Sequence, residues 1–480
     1  MKHRTVAALA LAAVTLGLTA CGNQYRPVVS AISPVGPAGQ PTKYAVAVSS
    51  PSSTLPGLVT FVDFSGDTVL DTPSILVNPS YFALNNSGNE GFVINANGSL
   101  NDFATSNPSS LLTSNIVQTT LTAASAPVSI STITPSNGAG TIFVPQTNSS
   151  SIAVLSVAST SLLQTLSVGA NPVYVVGADG TPRVYAISQG NGGNGQVAAI
   201  EATSTSSLGI STNLTVGATP VYGVMTVDTR RAFILNKGDG TVSVINVTNN
   251  ALDGTAYTIP PGSAPSSIPT SSIPLCSTPA AASPFCPGVN PVWADFSPTT
   301  NQLVVLNQGD GTHPGSLSII NIPLCTASTQ TANPLCNANN PVDGVGFGQI
   351  TSTTNVGINP QMVSVLRDGT AAYVANQLDS TGLCATGQGS VSVVSLVSGV
   401  VTATICGVSS SAATVGANTS PNNIYGHPSS ISATTGSPTG KVYVTSPDNQ
   451  YVSIIYTDSN TVQGHVNMQG LGVRVITTSP

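Results

Sequence analysis

An all-β fold, built as a single β-propeller of four-stranded blades, is what this sequence predicts, on three observations. Charged residues make up only 6% of its 480 residues; Ser, Thr, Asn, Gly and Val dominate, a composition that suits strands and tight turns rather than solvated helices. A unit of three short β-branched runs separated by turn residues, with a weaker fourth run, recurs along the chain. An X-Pro step opens the units, at Pro79, Pro127, Pro172, Pro220, Pro291, Pro360 and Pro428.

The first residues set the compartment. Lys2, His3 and Arg4 form a short positive segment, and Val6 to Leu18 is an uncharged apolar run. That run is too short to span a bilayer and reads as a signal-peptide core. It leads into Leu18-Thr19-Ala20-Cys21-Gly22, which resembles the lipobox of bacterial lipoproteins. The resemblance implies cleavage before Cys21, lipidation of its sulfur, and anchoring through buried acyl methylenes. Gly22, rather than Asp, after the cysteine resembles the signal that sends Gram-negative lipoproteins to the outer membrane. The expected organisation is a signal peptide over 1–20, a lipid-anchored linker over 21–43, and a propeller domain over 44–480.

Removal of Lys2 and Arg4 leaves a chain more acidic than the full sequence, whose net charge is −6. It carries no basic patch, which argues against nucleic acid as a partner. No later segment is long and apolar enough to cross a membrane, so the acyl group is the expected membrane contact.

One unit shows the repeat plainly. Asn171-Pro172-Val173-Tyr174-Val175-Val176 leads through Asp179-Gly180 to Arg183–Ile187, then to Gln196–Ile200. The next unit runs from Thr219-Pro220 through Arg231–Asn236 and a Gly238-Asp239-Gly240 turn to Thr241–Asn246. The opening prolines are spaced 48, 45 and 48 residues apart, then 71, 69 and 68. A period near 45 with four strands marks a propeller blade, since one small sheet cannot bury both its faces alone. The longer spacings hold six cysteines and read as loop insertions in an unchanged frame.

The ends follow the same plan. Tyr44–Val48, Leu58–Asp63 and Thr68–Leu70 resemble strands two, three and four of a unit, and Gly472–Ile476 resembles strand one. A blade made from both termini closes the ring and removes sheet edges. Eight blades result; the count falls to seven if Pro27–Ile32 supplies its own first strand and the weak repeat over 78–125 is not a blade.

An even number of cysteines in an exported chain suggests disulfides. Cys276, Cys286, Cys325, Cys336, Cys384 and Cys406 allow fifteen pairings. Chain order favours Cys276–Cys286, Cys325–Cys336 and Cys384–Cys406 as local staples. No CxxC or Cys/His spacing points to a metal.

Lys441–Thr445 followed by Tyr451–Ile455 resembles the YVTN family of β-propeller repeats, as do Ala372–Asn376 with Ser390–Ser395 and Ala232–Asn236 with Thr241–Asn246. The resemblance covers nearly the whole mature chain. It implies a propeller of the kind found in surface proteins, related in fold to lactonase-type and cofactor-dependent dehydrogenase propellers.

The remaining polar residues read mostly as structure. Asp-Gly pairs at Asp179, Asp239, Asp310 and Asp368 supply turns with positive φ. Asp63, Asp67 and Asp71 lack the dense acidic loop of a calcium site. His313 lies between strands two and three of its unit, and His427 takes the place before an opening proline held elsewhere by Asn171, Asn290 or Asn359. Both read as turn or capping residues, and His465 reads as a surface residue of a late strand. The only glutamates are Glu90 and Glu201, and the only tryptophan, Trp293, falls in a first-strand run beside the channel, where core packing is the simpler role. No catalytic set, phosphate loop or Gly-x-Ser-x-Gly elbow appears, and no cofactor is expected.

Loop length carries the functional hint. Connections from strand two to three, and from strand four to the next first strand, share one face of a propeller. Insertions gather there, at 261–289, 308–314, 377–388 and 408–426, whereas the other face has one long connection, 323–340. Long loops on a rigid scaffold favour binding. The expected recognition surface therefore includes Asp310, His313, Gln377, Asp379, Asn422 and Tyr425, serving a protein or polysaccharide partner at the envelope. The rival readings are a lactonase or hydrolase with a central-channel site, and an envelope redox propeller.

Overall fold

The structure is a computed structural model. It describes residues 44–105, 118–122, 124–136, 138–202, 208–253, 271–275, 289–323, 336–337, 340–341, 347–408, 423–434 and 440–478. Cys21, Cys276, Cys286, Cys325, Asn422 and Pro27–Ile32 lie outside this set, as do the expected signal peptide and linker.

Among the described residues the chain is all β apart from one 3-10 turn at Thr147–Ser149, and no helix is long and apolar enough to cross a membrane. The strands form small antiparallel sheets arranged as in a β-propeller. Pro172–Val176, Arg183–Ser188, Asn194–Glu201 and Gly209–Ala218 make one such sheet in chain order, and Ser430–Ala433, Lys441–Thr445, Tyr451–Tyr456 and Thr461–Asn467 make another. The weak repeat is a sheet of the same kind, from Pro79–Leu84, Glu90–Asn95, Ser99–Ala104 and Gln118–Thr120. Gln349–Val365 is shared: its first half pairs with Pro314–Asn321 as a fourth strand, and its second half pairs with Ala371–Leu378 as the next first strand. Tyr44–Ser50 pairs with Pro56–Asp63 on one side and with the late strand Leu471–Thr477 on the other.

Position within a sheet decides how the sequence reads. Middle strands are covered on both faces, so Arg231–Asn236 is buried at every residue and its run of Ala, Phe, Ile and Leu is continuous. Fourth strands have one face in water, and Gly209–Ala218 alternates exposed and half-buried residues for most of its length. Apolar side chains from adjacent sheets mesh between them. Phe143, Ile152 and Val154 of one sheet share a buried cluster with Val184, Ala186, Ala198 and Ile200 of the next.

The opening prolines mark a repeated backbone device. The residue before each proline adopts a left-handed conformation at Asn78, Ala126, Asn171, Thr219, Asn290 and Asn359, with φ between 49° and 57°. Asn tolerates this conformation best, which explains its recurrence there. The register then shifts between the proline and the second residue after it, at Pro79/Tyr81, Pro172/Tyr174, Pro220/Tyr222, Pro291/Trp293 and Pro360/Met362. Such a bulge re-aims the side chain that follows it.

Candidate functional site

Two regions gather functional side chains: the loop-bearing rim that the insertions mark, and the channel where first strands converge.

On the rim, the connection after Ala371–Leu378 is the best defined inserted loop. Asp379 organises it: its carboxylate accepts from the amides of Thr381 at 3.1 Å and Gly382 at 3.0 Å. Cys384 is disulfide-bonded to Cys406 on the outer strand Val401–Val408. Gln377 accepts from Asn359 Nδ2, tying the loop base to the first strand of its own sheet. Leu383 sits at the tip and is 72% exposed.

Asp310 and His313 form a second local knot. Asp310 Oδ1 accepts from the amides of Thr312 and His313, each at 2.8 Å, and Oδ2 lies 2.6 Å from His313 Nδ1. Those amides, with the ring, hold the Asp310 carboxyl well below the usual carboxylate range. His313 thus serves its own turn.

His427 departs from the Asn pattern. The left-handed residue there is Gly426, with φ 77°, so the His427 side chain reaches outward instead. Its Nδ1 lies 2.7 Å from Asp448 Oδ2, and its Nε2 lies 2.9 Å from the Gly387 carbonyl. Both nitrogens donate only in the imidazolium form. Burial pulls its pKa down, but the Gly387 carbonyl and the Asp448 carboxylate outweigh this and raise it above 6.5. His427 thereby joins the loop over 377–388 to the Tyr425 segment. Tyr425 stacks on His465, with ring centroids 3.9 Å apart. The expectation that His465 is a surface residue is corrected here: it is half-buried beneath Tyr425, and burial lowers its pKa to about 4.

Sequence reasoning placed only Trp293 beside the channel and kept a channel site as a rival reading. The second residue after an opening proline takes the same place in every unit: Tyr81, Ser129, Tyr174, Tyr222, Trp293, Met362 and Ser430, with Arg474 in the matching place of Leu471–Thr477. The Tyr174 and Tyr222 rings lie 4.5 Å apart, and Tyr222 stacks on Trp293 at 4.2 Å. The Arg474 guanidinium lies over Tyr81 at 4.6 Å and over Trp293 at 5.4 Å, within cation–π range. Its Nη1 donates to the Phe82 carbonyl at 2.9 Å, and its Nε is buried without a hydrogen-bond partner. Burial pushes the Tyr174 hydroxyl up to about 12 and that of Tyr222 well above its ordinary value. The signal was present in the sequence as aromatic residues at a fixed offset from the prolines.

Two residues further along, another layer stitches neighbouring sheets. Asp295 Oδ2 accepts from the Val365 amide at 2.8 Å, Ser364 Oγ from Ala433 at 3.0 Å, and Ser432 Oγ from Thr477 at 3.1 Å. Asp295 thus stands in a serine's structural place, but with a charge. Burial raises its pKa to about 6, against the lowering by the Val365 and Phe296 amides.

Three cavities meet at Asp295. One of about 200 Å³ is walled by Tyr222, Trp293, Met362, Ser364, Ser432 and Arg474. Another of about 340 Å³ shares Ser364 and Ser432 and reaches the turns at Asn85, Val227 and Arg367. The third, of about 280 Å³, lies against Tyr174, Tyr222 and Phe296. The turns at this mouth join first strands to second strands, so it opens on the face opposite the inserted loops.

Elsewhere, Asp67 pairs with Lys441 at 2.6 Å and accepts from Tyr456, and Glu201 pairs with Arg183 at 3.0 Å. Burial, with the charge of Asp102, raises Glu90 to about 7. Among the described residues no group of three or more His, Cys, Asp or Glu is placed to hold a metal ion.

No family model matches the chain, and no curated protein matches it. Solved structures do resemble it. The dihydro-heme d1 dehydrogenase NirN in complex with DHE is 10% identical, covering 91% of this chain and 75% of that chain at TM-score 0.56. AztD from Citrobacter koseri is 11% identical, covering 91% and 97% at TM-score 0.54. A putative 6-phosphogluconolactonase from Bacteroides fragilis, 13% identical, covers 76% and 95% at TM-score 0.47, too loose a match to bear on function. At these identities the likeness is one of fold alone: this chain has a β-propeller-like architecture.

Proposed function

We propose that this chain is an exported lipoprotein of the YVTN-repeat type, anchored through Cys21, whose eight-bladed ring acts as a non-catalytic binding module at the cell envelope. Eight blades follow when Gln349–Val365 is counted in two sheets, and the terminal sheet joining Tyr44–Ser50 to Leu471–Thr477 is the closing blade. Support for closure comes from buried clusters on both sides of that sheet. Ala45, Ala47 and Val62 pack with Tyr443, Val452 and Ile454, while Phe61 and Val59 pack with Phe82 and Val93. A closed ring gives rim loops a rigid base, and a rigid base lowers the ordering cost of binding.

The observation that carries the binding reading is the loop over 377–388. It is stapled by Cys384–Cys406, held by Asp379 and tied to the next sheet by His427, yet it presents Leu383 to solvent. An ordered loop that exposes an apolar tip fits a recognition anchor. The disulfide also suits an oxidising compartment outside the cytoplasm.

The test replaces residues 379–388 by a short turn, together with Cys406→Ser, in the lipidated protein. The ring should fold, and capture of envelope protein or polysaccharide should be lost. Unchanged capture would overturn the rim reading, whereas lipid labelling that survives Cys21→Ser would overturn the anchor.

A further inference from the structure

We propose that the channel cavity beside Arg474 is a binding site for a small monocarboxylate. A guanidinium withdrawn from bulk water is costly unless it is paired. Among the described residues Arg474 has no carboxylate partner; its neighbours are the Phe82 carbonyl, the faces of Tyr81 and Trp293, and the hydroxyls of Tyr81, Tyr174 and Tyr222. Its Nε is an unpartnered buried donor. The planar fork of donors that remains is the arrangement that matches a carboxylate in two-point contact.

The cavity has the size and walls for such a ligand. Its volume is about 200 Å³, the room of roughly six or seven waters at about 30 Å³ each. Tyr222, Trp293 and Met362 supply an apolar flank, and Ser364 and Ser432 supply hydroxyls. The wider cavity toward the mouth shares that wall and carries Arg367, so cations stand at both ends of the path. Asp295, the one carboxylate on these walls, disfavours a doubly charged anion and so selects against phosphate.

Arg474 is also the exception in its layer. Tyr81, Ser129, Tyr174, Tyr222, Trp293, Met362 and Ser430 hold the same position in other units, all uncharged, so the repeat itself does not require a cation there. A cation adds nothing that a channel plug needs.

Trp293 is the only tryptophan in the chain, and it touches the site, so its fluorescence reports occupancy. The full chain in detergent is titrated with lactate, benzoate and inorganic phosphate at constant ionic strength, with calorimetry in parallel. Saturable binding of a carboxylate is expected at or below roughly 10 mM. Arg474→Met should weaken it at least about tenfold, and Arg474→Lys less, since the lysine keeps the charge but loses the fork. Asp295→Asn, which leaves Arg474 in place, should tighten it several-fold at pH 8. The proposal fails if neither carboxylate gives heat or a fluorescence change, if phosphate binds as tightly, if Arg474→Met binds unchanged, or if Asp295→Asn weakens binding.

Discussion

The two faces of the propeller differ in what makes them distinctive. On one, the signal is length: inserted loops, a disulfide and an exposed Leu383. On the other, the turns are mostly short, and the signal is chemical: a mouth that leads past Asp295 to Arg474 among aromatic rings. Loop insertions therefore locate where the surface has diversified, and the channel layer locates where the repeat itself has been broken by a charge. A single binding surface inferred from loop length misses the second face entirely.

The largest effect that separates structure from function on these faces is expected at the Arg231–Asp253 pair. Arg231 Nε lies 2.6 Å from Asp253 Oδ2, and both side chains are fully buried. Asp253→Ala removes the carboxylate partner of a buried cation and should cost about 3–5 kcal/mol, measured by denaturant unfolding. A cost below about 1 kcal/mol would show that other contacts of Arg231 carry this part of the sheet.

A smaller effect concerns the rim. Folding raises the pKa of His427, so its contribution to stability is complete below the unfolded value of 6.5 and is lost as pH rises through the folded value. The side chain is 35% exposed, so the effect is that of a screened surface pair, at most about 2 °C in melting temperature. Between pH 6 and pH 9 the wild type should lose this increment relative to His427→Asn. Parallel pH profiles for the two proteins would remove His427 as the tie between the loop and its neighbour.

Much of the architecture was legible because each unit repeats its own pattern locally. The run Arg231–Asn236, the Asp-Gly turns and the X-Pro openings each report short-range backbone requirements, and Gly180, Gly240, Gly311 and Gly369 do take positive φ. Tyr44–Val48 and Leu58–Asp63 could be placed beside the late strand because they resemble strands two and three of a unit and Gly472–Ile476 resembles strand one. The channel was harder to read because it is assembled from residues hundreds of positions apart. Tyr81, Trp293 and Arg474 each look like an ordinary strand residue until the repeat superposes them. His465 misled for a related reason. Strand alternation points it outward, but Tyr425, from a different connection, covers it.

The most direct test of the rim as the recognition surface is paired photo-crosslinking in intact cells. A photoreactive residue replaces Leu383 on the loop-bearing face in one protein, and Val227, 61% exposed at the channel mouth, in another. A discrete envelope adduct from position 383, absent from position 227, is the predicted result. An adduct from 227 alone, or none from 383 in cells where the protein is lipidated and folded, would contradict it.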